Sequence, residues 1–236
     1  MADIVTLLGF GPDGWGDEIA SGIFVTVALA LATLPFGLAL GFFIALGKQS
    51  EEPSIRLAAN IYTTIFRGLP ELLTLFLVYF GVQIGLSEAV KALGFAEGVE
   101  VNSFVAGMFA LGVVFSSYAS EVFLSAFRAI PQGQYEGGYA VGLSWAQTMR
   151  LVVLPQLIRI ALPGLANLWL VLLKDTALVS VIGLSDILRQ TGIAARVSKE
   201  AFLFYGIACL LYLALAMISS IGISAIERRS ERGTAR

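Results

Sequence analysis

The amino-acid sequence predicts an all-α integral membrane protein with five transmembrane helices. Of its 236 residues, 57% are hydrophobic and only 14% are charged, whereas a soluble domain carries about 25% charged residues. The mean hydropathy is +0.84. Apolar runs of about 20 residues, the length that a helix needs to cross the hydrocarbon core of a bilayer, recur five times along the chain.

Charged residues bound the predicted spans. The first span lies within about 19–47, because no charge occurs between Glu18 and Lys48. The remaining four are expected at about 65–86, 101–127, 160–183 and 201–226. A long polar segment, 129–158, separates the third span from the fourth. The sequence therefore predicts one transmembrane domain over residues 1–236, with a single large loop.

The distribution of Lys and Arg predicts the orientation in the membrane. If the N-terminal segment lies outside, the inner segments hold nine basic residues and the outer segments hold four. Cytoplasmic segments carry the excess of basic residues, so we expect a periplasmic N-terminus and a cytoplasmic C-terminus. The basic segment 189–199 is the exception on the outer side. No basic region precedes the first apolar run, and no cleaved signal peptide is expected.

The composition argues against several kinds of chemistry on this chain. It has no histidine and one cysteine, Cys209, which excludes Cys-His and Ser-His catalysis and Cys/His zinc sites. Cys209 lies in an apolar run and is expected to be a small buried hydrophobe. The stretch "GFFIALGKQS" is not a phosphate-binding loop, because five residues separate Gly41 from Gly47 and Gln49 stands where Ser or Thr is required. We expect no enzyme activity, ATP site or metal site here.

The segment "QYEGGYAVGLSWAQTMRLVVLP", 134–155, differs from the apolar runs on either side. It is too polar to cross a membrane, yet its second half has helical apolar spacing. One interpretation is an amphipathic helix on the lipid headgroups, and the other is a helix that docks into a partner protein. Trp145 fits either interpretation. Three glycines would let another backbone approach closely: Gly137, Gly138 and Gly142.

The same segment resembles the cytoplasmic loop of bacterial ABC-importer permeases, which has the pattern E-A-A-x3-G-x9-I-x-L-P. The matching positions in this chain are Glu136, Gly137, Gly138, Gly142, Val152, Leu154 and Pro155. Both alanines of the pattern are glycine here, and the isoleucine is valine. Each glycine is expected to loosen the first loop helix by up to about 1 kcal/mol relative to alanine.

Three further stretches narrow the resemblance to polar amino-acid uptake permeases, closest to the Q-type subunit of histidine/lysine/arginine/ornithine and opine importers. They are "YTTIFRGLPELLTLFLVYFG", "EVFLSAFRAIPQGQ" and "ALPGLANLWLVLLKDTALVSVIGLSDILRQ". The resemblance covers about 22–229. It implies a multi-pass subunit of the bacterial inner membrane that moves polar, basic amino acids inward by alternating access.

The resemblance also implies partners and a role for the loop. A second permease subunit would pair with this chain, with a heterodimer favoured over a homodimer. Two cytoplasmic ATPases would hold ATP and magnesium and bind coupling helices in the loop 129–158, so that their motion reaches the spans. A periplasmic amino-acid-binding protein would deliver substrate. No nucleic acid is expected.

Two other functions remain open from the residues alone. One is a proton-coupled secondary transporter that uses Glu121 or Asp175 as proton carrier, although five spans show no obvious inverted repeat. The other is a membrane scaffold that recruits a partner through the loop and transports nothing.

Polar side chains inside the spans are the candidate substrate path, because charges there usually face a bundle interior or a water-filled cavity. In the third span, Ser117, Glu121 and Ser125 fall on one helix face. The alternative for Glu121 is an ion pair with Arg128 on the same face. Close helix packing is expected at small residues of the third and fourth spans: Gly107, Gly112, Gly164 and Ala166.

The fourth span carries Lys174 and Asp175 near its middle. Asn167 shares a face with Lys174, and Asp175 points about 100° away. One interpretation is recognition of a zwitterion, with Asp175 or Glu121 facing the amino or guanidino group and Lys174 the carboxylate. The other is an interhelix ion pair that holds a kinked helix. The "KDTALVS" stretch resembles a region that lines the path in related permeases.

Arg67 and Glu71 stand four residues apart at the start of the second span. This spacing predicts a structural ion pair between them. Pro70 restricts Leu69 away from helical geometry, so the second span has an alternative start at that point.

Overall fold

The computed structural model describes residues 4–92 and 101–231, and every regular element in that part is helical. The α-helices are α1 (Ile4–Leu7), α2 (Gly16–Lys48), α3 (Pro53–Gly68), α4 (Glu71–Ala92), α5 (Ser103–Ala129), α6 (Gln132–Ala140), α7 (Trp145–Thr148), α8 (Leu154–Asp175), α9 (Ile187–Ser198) and α10 (Ala201–Glu231). A π-helical turn, Met149–Val153, joins α7 to α8, and a 3₁₀-helix, Thr176–Ile182, follows α8.

Five helical stretches of the described residues are long and apolar enough to cross a membrane, which confirms the predicted number of spans. They are Gly16–Lys48, Glu71–Ala92, Ser103–Ala129, Trp145–Ile182 and Ala201–Arg229. The fourth stretch begins at Trp145 rather than near residue 160. It does so because α7, the π-helical turn, α8 and the 3₁₀-helix follow one another without a break.

The helix break at Leu69 divides the segment predicted as the second span. Leu69 has φ −89° and ψ 142°, an extended conformation that the ring of Pro70 imposes on the residue before it. The spanning helix α4 therefore begins at Glu71, the alternative start, and not near Ile65. The preceding helix, α3, was not predicted. It begins with Pro53, a residue suited to the first turn of a helix.

The close packing of α2 against α5 forms the centre of the bundle. A Cβ added to Gly41 would lie 2.9 Å from Ala119 Cβ and 2.9 Å from the Ser116 carbonyl oxygen, so the two backbones approach as only small residues allow. A Cβ at Gly112 would lie 2.4 Å from the Phe36 ring. An added Cβ would also meet Val179 at Gly107 and Val122 at Gly164, which confirms the expected close packing at the three glycines, whereas Ala166 lines an apolar groove.

A buried carboxylate, Asp186, ties α9 to α10. It accepts hydrogen bonds from the Arg189 backbone N–H at 2.9 Å, which caps α9, and from the Tyr212 hydroxyl of α10 at 3.4 Å. The next residue, Ile187, donates its N–H to Thr26 Oγ1 of α2 at 3.2 Å. Burial raises the pKa of Asp186 to about 6, and its hydrogen bonds act in the opposite direction. Three helices therefore meet at this point.

Helix α10 leaves most of its apolar surface uncovered. Phe204 and Ala208 are buried, whereas Leu210 and Leu213 are exposed. Cys209 is also exposed, so the expectation of a buried cysteine is wrong. A lipid-facing surface is as apolar as a protein core, and hydrophobicity alone therefore does not indicate which side of a span is covered by protein.

We expect Gly41→Leu to lower the free energy of unfolding by about 1–3 kcal/mol, the usual cost of overpacking, because its side chain meets the α5 backbone. Gly206→Leu in α10 is the matched control, since a Cβ there meets nothing within 4 Å. Thermal unfolding of the purified protein in detergent measures both. Equal midpoints for the two variants would contradict the close approach of α2 and α5.

Candidate functional site

The Glu121 carboxylate on α5 joins three helices. Its Oε1 accepts hydrogen bonds from Lys48 Nζ, at the end of α2, at 2.6 Å and from Arg67 Nη1, in the last turn of α3, at 3.0 Å. The Lys48 side chain is only 4% exposed, whereas that of Arg67 is 45% exposed. The Arg67 guanidinium carbon also lies 5.6 Å from the centre of the Tyr118 ring, within the range of a cation–π contact.

These contacts replace both ion pairs that the sequence suggested. Arg67 pairs with Glu121 and not with Glu71, because the helix break at Leu69 interrupts the regular turn that an i,i+4 pair requires. Glu121 in turn pairs with Lys48 and Arg67 rather than with Arg128, which is exposed. The observed partners are 73 and 54 residues away from Glu121 in the chain, so sequence spacing gave no signal for them.

The predicted polar stripe on α5 is divided between two environments. Ser117 is fully buried, and its hydroxyl donates to the Val114 carbonyl oxygen at 2.6 Å, so it lies in the helix packing. Ser125 is exposed and, with Glu121, lines an open groove of about 370 Å³. The wall of the groove opposite α5 comes from Ile160 and Gly164 of α8. Of the three stripe residues, Glu121 and Ser125 are thus the ones accessible from this groove.

Two carboxylates line a narrow pocket between α4, α5 and α8. Asp175 is the last residue of α8, and Glu71 is the first residue of α4. Among the described residues, the lining is otherwise apolar or aromatic and contains no Lys or Arg: Leu111, Val114, Phe115, Tyr118, Leu168, Val171 and Leu172. Neither carboxylate forms an ion pair among the described residues, and together they create a negative potential that favours a cation, which the charge of the neighbouring Lys174 partly offsets. The free volume is about 20 Å³, room for about one water molecule.

The other two residues of the predicted path on α8 face outward. Asn167 and Lys174 are both exposed and share one helix face. The predicted path residues are therefore not gathered in one cavity: Asp175 lies in the narrow pocket, Glu121 and Ser125 in the open groove, and Asn167 and Lys174 on the outer surface of α8. Sequence reasoning missed Lys48, Tyr118 and the contribution of Glu71 to the pocket.

The loop between α5 and α8 folds into two short helices in close contact. Helix α6 contains Glu136, Gly137 and Gly138. A Cβ at Gly138 would lie 2.5 Å from Thr148 Cγ2 in α7, whereas one at Gly137 would meet nothing within 4 Å. The absence of a side chain at Gly138 thus permits the packing of α6 on α7.

Gly142 makes the turn between α6 and α7. Its φ is +84°, a left-handed conformation that glycine adopts at no steric cost. Ser144 then caps α7, since its hydroxyl accepts from the Gln147 N–H and its own N–H donates to Gln147 Oε1. This reciprocal capping box fixes the start of the second loop helix.

The outer surface of the loop is rich in exposed apolar side chains. Trp145 is 60% exposed and Val141 is 76% exposed. Leu154 is partly buried and Pro155 is exposed at the start of α8. A cleft of about 860 Å³ lies between the loop helices and the ends of α2 and α5. Exposed aromatic and aliphatic side chains next to a cleft are typical of a protein interaction surface.

We expect Glu121→Gln to lower the free energy of unfolding by about 1–2 kcal/mol, because the buried Lys48 ammonium loses its charged partner. The matched control is Glu88→Gln, which removes an exposed pair with Lys91 and should cost less than about 1 kcal/mol. Chemical unfolding in detergent measures both. If Glu121→Gln cost no more than the control, the ion pairs at Glu121 would not hold the helices together.

Comparisons with known proteins give a consistent result. Residues 37–232 match the family model described as "Binding-protein-dependent transport system inner membrane component". The chain is 40% identical to the nopaline transport system permease protein NocQ of Agrobacterium fabrum, over 97% of this chain and 98% of that protein. It is 34% identical to the histidine/lysine/arginine/ornithine transport system permease protein HisQ of Escherichia coli, over 94% of this chain and 97% of that protein.

A solved structure shares the fold. It is described as an amino acid ABC transporter with histidines, and it aligns with a TM-score of 0.75 and 33% sequence identity. The alignment covers 91% of this chain and 95% of that chain. The resemblance found in the sequence is therefore confirmed over nearly the full length of both proteins.

Proposed function

The chain belongs to the family of inner membrane components of binding-protein-dependent transport systems, and from this we propose that it is the permease subunit of an ATP-powered importer for cationic amino acids or opines. The observation that carries the proposal is the unbroken helical stretch from Trp145 to Ile182. It joins the exposed apolar surface of the loop directly to the carboxylate of Asp175. A displacement applied at Trp145 is transmitted along this helix to the pocket.

The loop is the proposed docking site for a partner ATPase. The exposed Trp145 and Val141 side chains, the cleft beside them and the capped start of α7 support docking into a protein over contact with lipid headgroups. This placement makes the loop and the C-terminus cytoplasmic and the N-terminus periplasmic, in agreement with the distribution of Lys and Arg. ATP and magnesium belong to the partner ATPases, and this chain performs no covalent chemistry.

The proposed substrate path passes through the pocket that the Glu71 and Asp175 carboxylates line. The pocket of Glu71 and Asp175 favours an ammonium or guanidinium group, and the relatives NocQ and HisQ are named for nopaline and for histidine, lysine, arginine and ornithine. In the conformation observed the pocket is too small for an amino acid, so it must widen during transport. Alternating access driven through the loop supplies that movement. Asn167 and Lys174 contribute from the adjoining face of α8, where Lys174 suits a carboxylate.

The proposed assembly contains a second permease subunit, two ATPases and a periplasmic amino-acid-binding protein. The exposed polar residues Asn167 and Lys174 support a second permease subunit, because polar groups within a span avoid lipid. We favour a heterodimer. Family membership disfavours a proton-coupled secondary transporter that would use Glu121 or Asp175, and also a scaffold without a transport path.

Gly142→Asp is expected to lower uptake at least about tenfold while the complex still assembles. A side chain at φ +84° strains the turn, which displaces α6 relative to α7 and weakens coupling to the ATPase. Gly133→Asp is the matched control, because it adds the same charge to α6 at a glycine whose φ is ordinary and whose Cβ meets nothing within 4 Å. Uptake and ATP hydrolysis are measured together in proteoliposomes. Wild-type uptake in Gly142→Asp would count against the coupling role.

Asp175→Asn is expected to lower uptake of cationic amino acids about tenfold or more, since a charge-assisted contact with the substrate is lost. Basal ATP hydrolysis should stay near the wild-type rate. Asp13→Asn, at an exposed position ahead of α2, is the control for loss of one negative charge. Unchanged substrate dependence of uptake in Asp175→Asn would remove this residue from the path.

A further inference from the structure

An apolar groove lies between α2, α8 and α10, away from every residue assigned to the transport path. Its volume is about 420 Å³. Three leucines of α2 form one wall, and Ala166 and Trp169 of α8 and Gly222 and Ile226 of α10 contribute to the others. Ser219 is the single hydroxyl side chain among the lining residues, and none of them is charged. In a membrane this space is filled by something apolar.

The groove faces away from the polar side of α8. At about 100° per residue, Asn167 and Lys174 lie about 130–150° around the helix from the groove residues of α8. The polar side is the one on which a second permease subunit is expected. In the assembly proposed above, on which this inference rests, the groove lies on the side left to the bilayer, and an acyl chain is the occupant that this geometry favours over a helix of another subunit.

Basic residues stand at one end of the groove. Leu162 and Ile226 are the lining residues nearest to that end on α8 and α10. Arg159 precedes Leu162 by three residues, and Arg229 follows Ile226 by three residues, so each lies about 4.5 Å farther along its helix axis. Both side chains are exposed. The described end of α10 beyond Ile226 also carries Arg228 and the acidic residues Glu227 and Glu231.

We propose that this groove is a binding site for an anionic phospholipid, with an acyl chain against Trp169 and Gly222 and the phosphate at Arg159 and Arg229. Basic residues between spans on the cytoplasmic side attract anionic headgroups, and long arginine side chains reach the headgroup level from within a span. The lipid contacts α8 close to the point where the loop helix continues into the span. It stabilises the base of the helical stretch that begins at Trp145.

Lipid binding to the delipidated importer complex tests the proposal. Native mass spectrometry measures the binding of phosphatidylglycerol and of phosphatidylcholine with the same acyl chains. We expect the wild type to bind phosphatidylglycerol about tenfold or more tightly than phosphatidylcholine. Arg159→Gln and Arg229→Gln should each weaken phosphatidylglycerol binding about fivefold and leave phosphatidylcholine unchanged. Arg56→Gln, an exposed arginine on α3, is the matched control and should have no effect.

A second variant tests the groove itself. Gly222→Leu places a side chain in the groove, where a Cβ meets nothing within 4 Å, and should weaken binding of both lipids. Gly222→Ala is the smaller substitution to be measured if the leucine variant fails to fold. Equal binding of the two lipids by the wild type, or an undiminished preference in both arginine variants, overturns the proposal. Disulfide cross-linking of Gly222→Cys to another subunit also overturns it. None of these results bears on whether the chain transports amino acids.

Discussion

The ion pairs of Glu121 with Lys48 and Arg67 fix the arrangement on which the candidate site depends. A charge inside a span is costly unless it is paired or hydrated, and here one carboxylate oxygen receives two cations from helices that are far apart in sequence. Arg67 lies just ahead of the break at Leu69. By holding the end of α3 against α5, the ion pairs fix the position of the helix break at Leu69, and hence the position of Glu71 in the pocket that Asp175 and Tyr118 also line.

Most of the membrane architecture could be predicted from the sequence, because apolar runs bounded by charges report directly on spans. The number of spans and the break before Glu71 followed from local rules for helix length and for the residue before proline. Helix α3 was missed because its last apolar residues, from Ile65 on, were assigned to the second span, although Arg67 and Pro70 separate them from α4. The helix that contains the fourth span begins earlier than the predicted span, because Arg159 was taken as its boundary, whereas the helical stretch begins at Trp145 and continues past Arg159.

The candidate site was only partly accessible to sequence reasoning. Asp175 and Glu121 stood out because they are ionisable residues within apolar runs. The ion-pair partners of Glu121 did not stand out, since an i,i+4 or i,i+7 rule finds neighbours on one helix, whereas Lys48 and Arg67 lie on two other helices. The motif in the loop was recognisable, but the consequence of its glycines was not. Gly138 was expected to weaken α6, and only the contact with Thr148 shows that a side chain there would separate the two loop helices.

The buried hydroxyl groups of α5 have a consequence for movement between spans. Ser116, Ser117 and Ser120 each donate to a carbonyl oxygen three residues earlier in the same helix, and Thr33 of α2 donates to the carbonyl oxygen of Leu29. These groups need no partner across the α2–α5 contact. A small axial slide of one helix past the other would therefore break none of these hydrogen bonds, and the Lys48–Glu121 ion pair and the steric fit of the two helices oppose it instead. The register of α2 against α5 is thus set by that ion pair and by the packing at the glycines, and not by the buried hydroxyl groups.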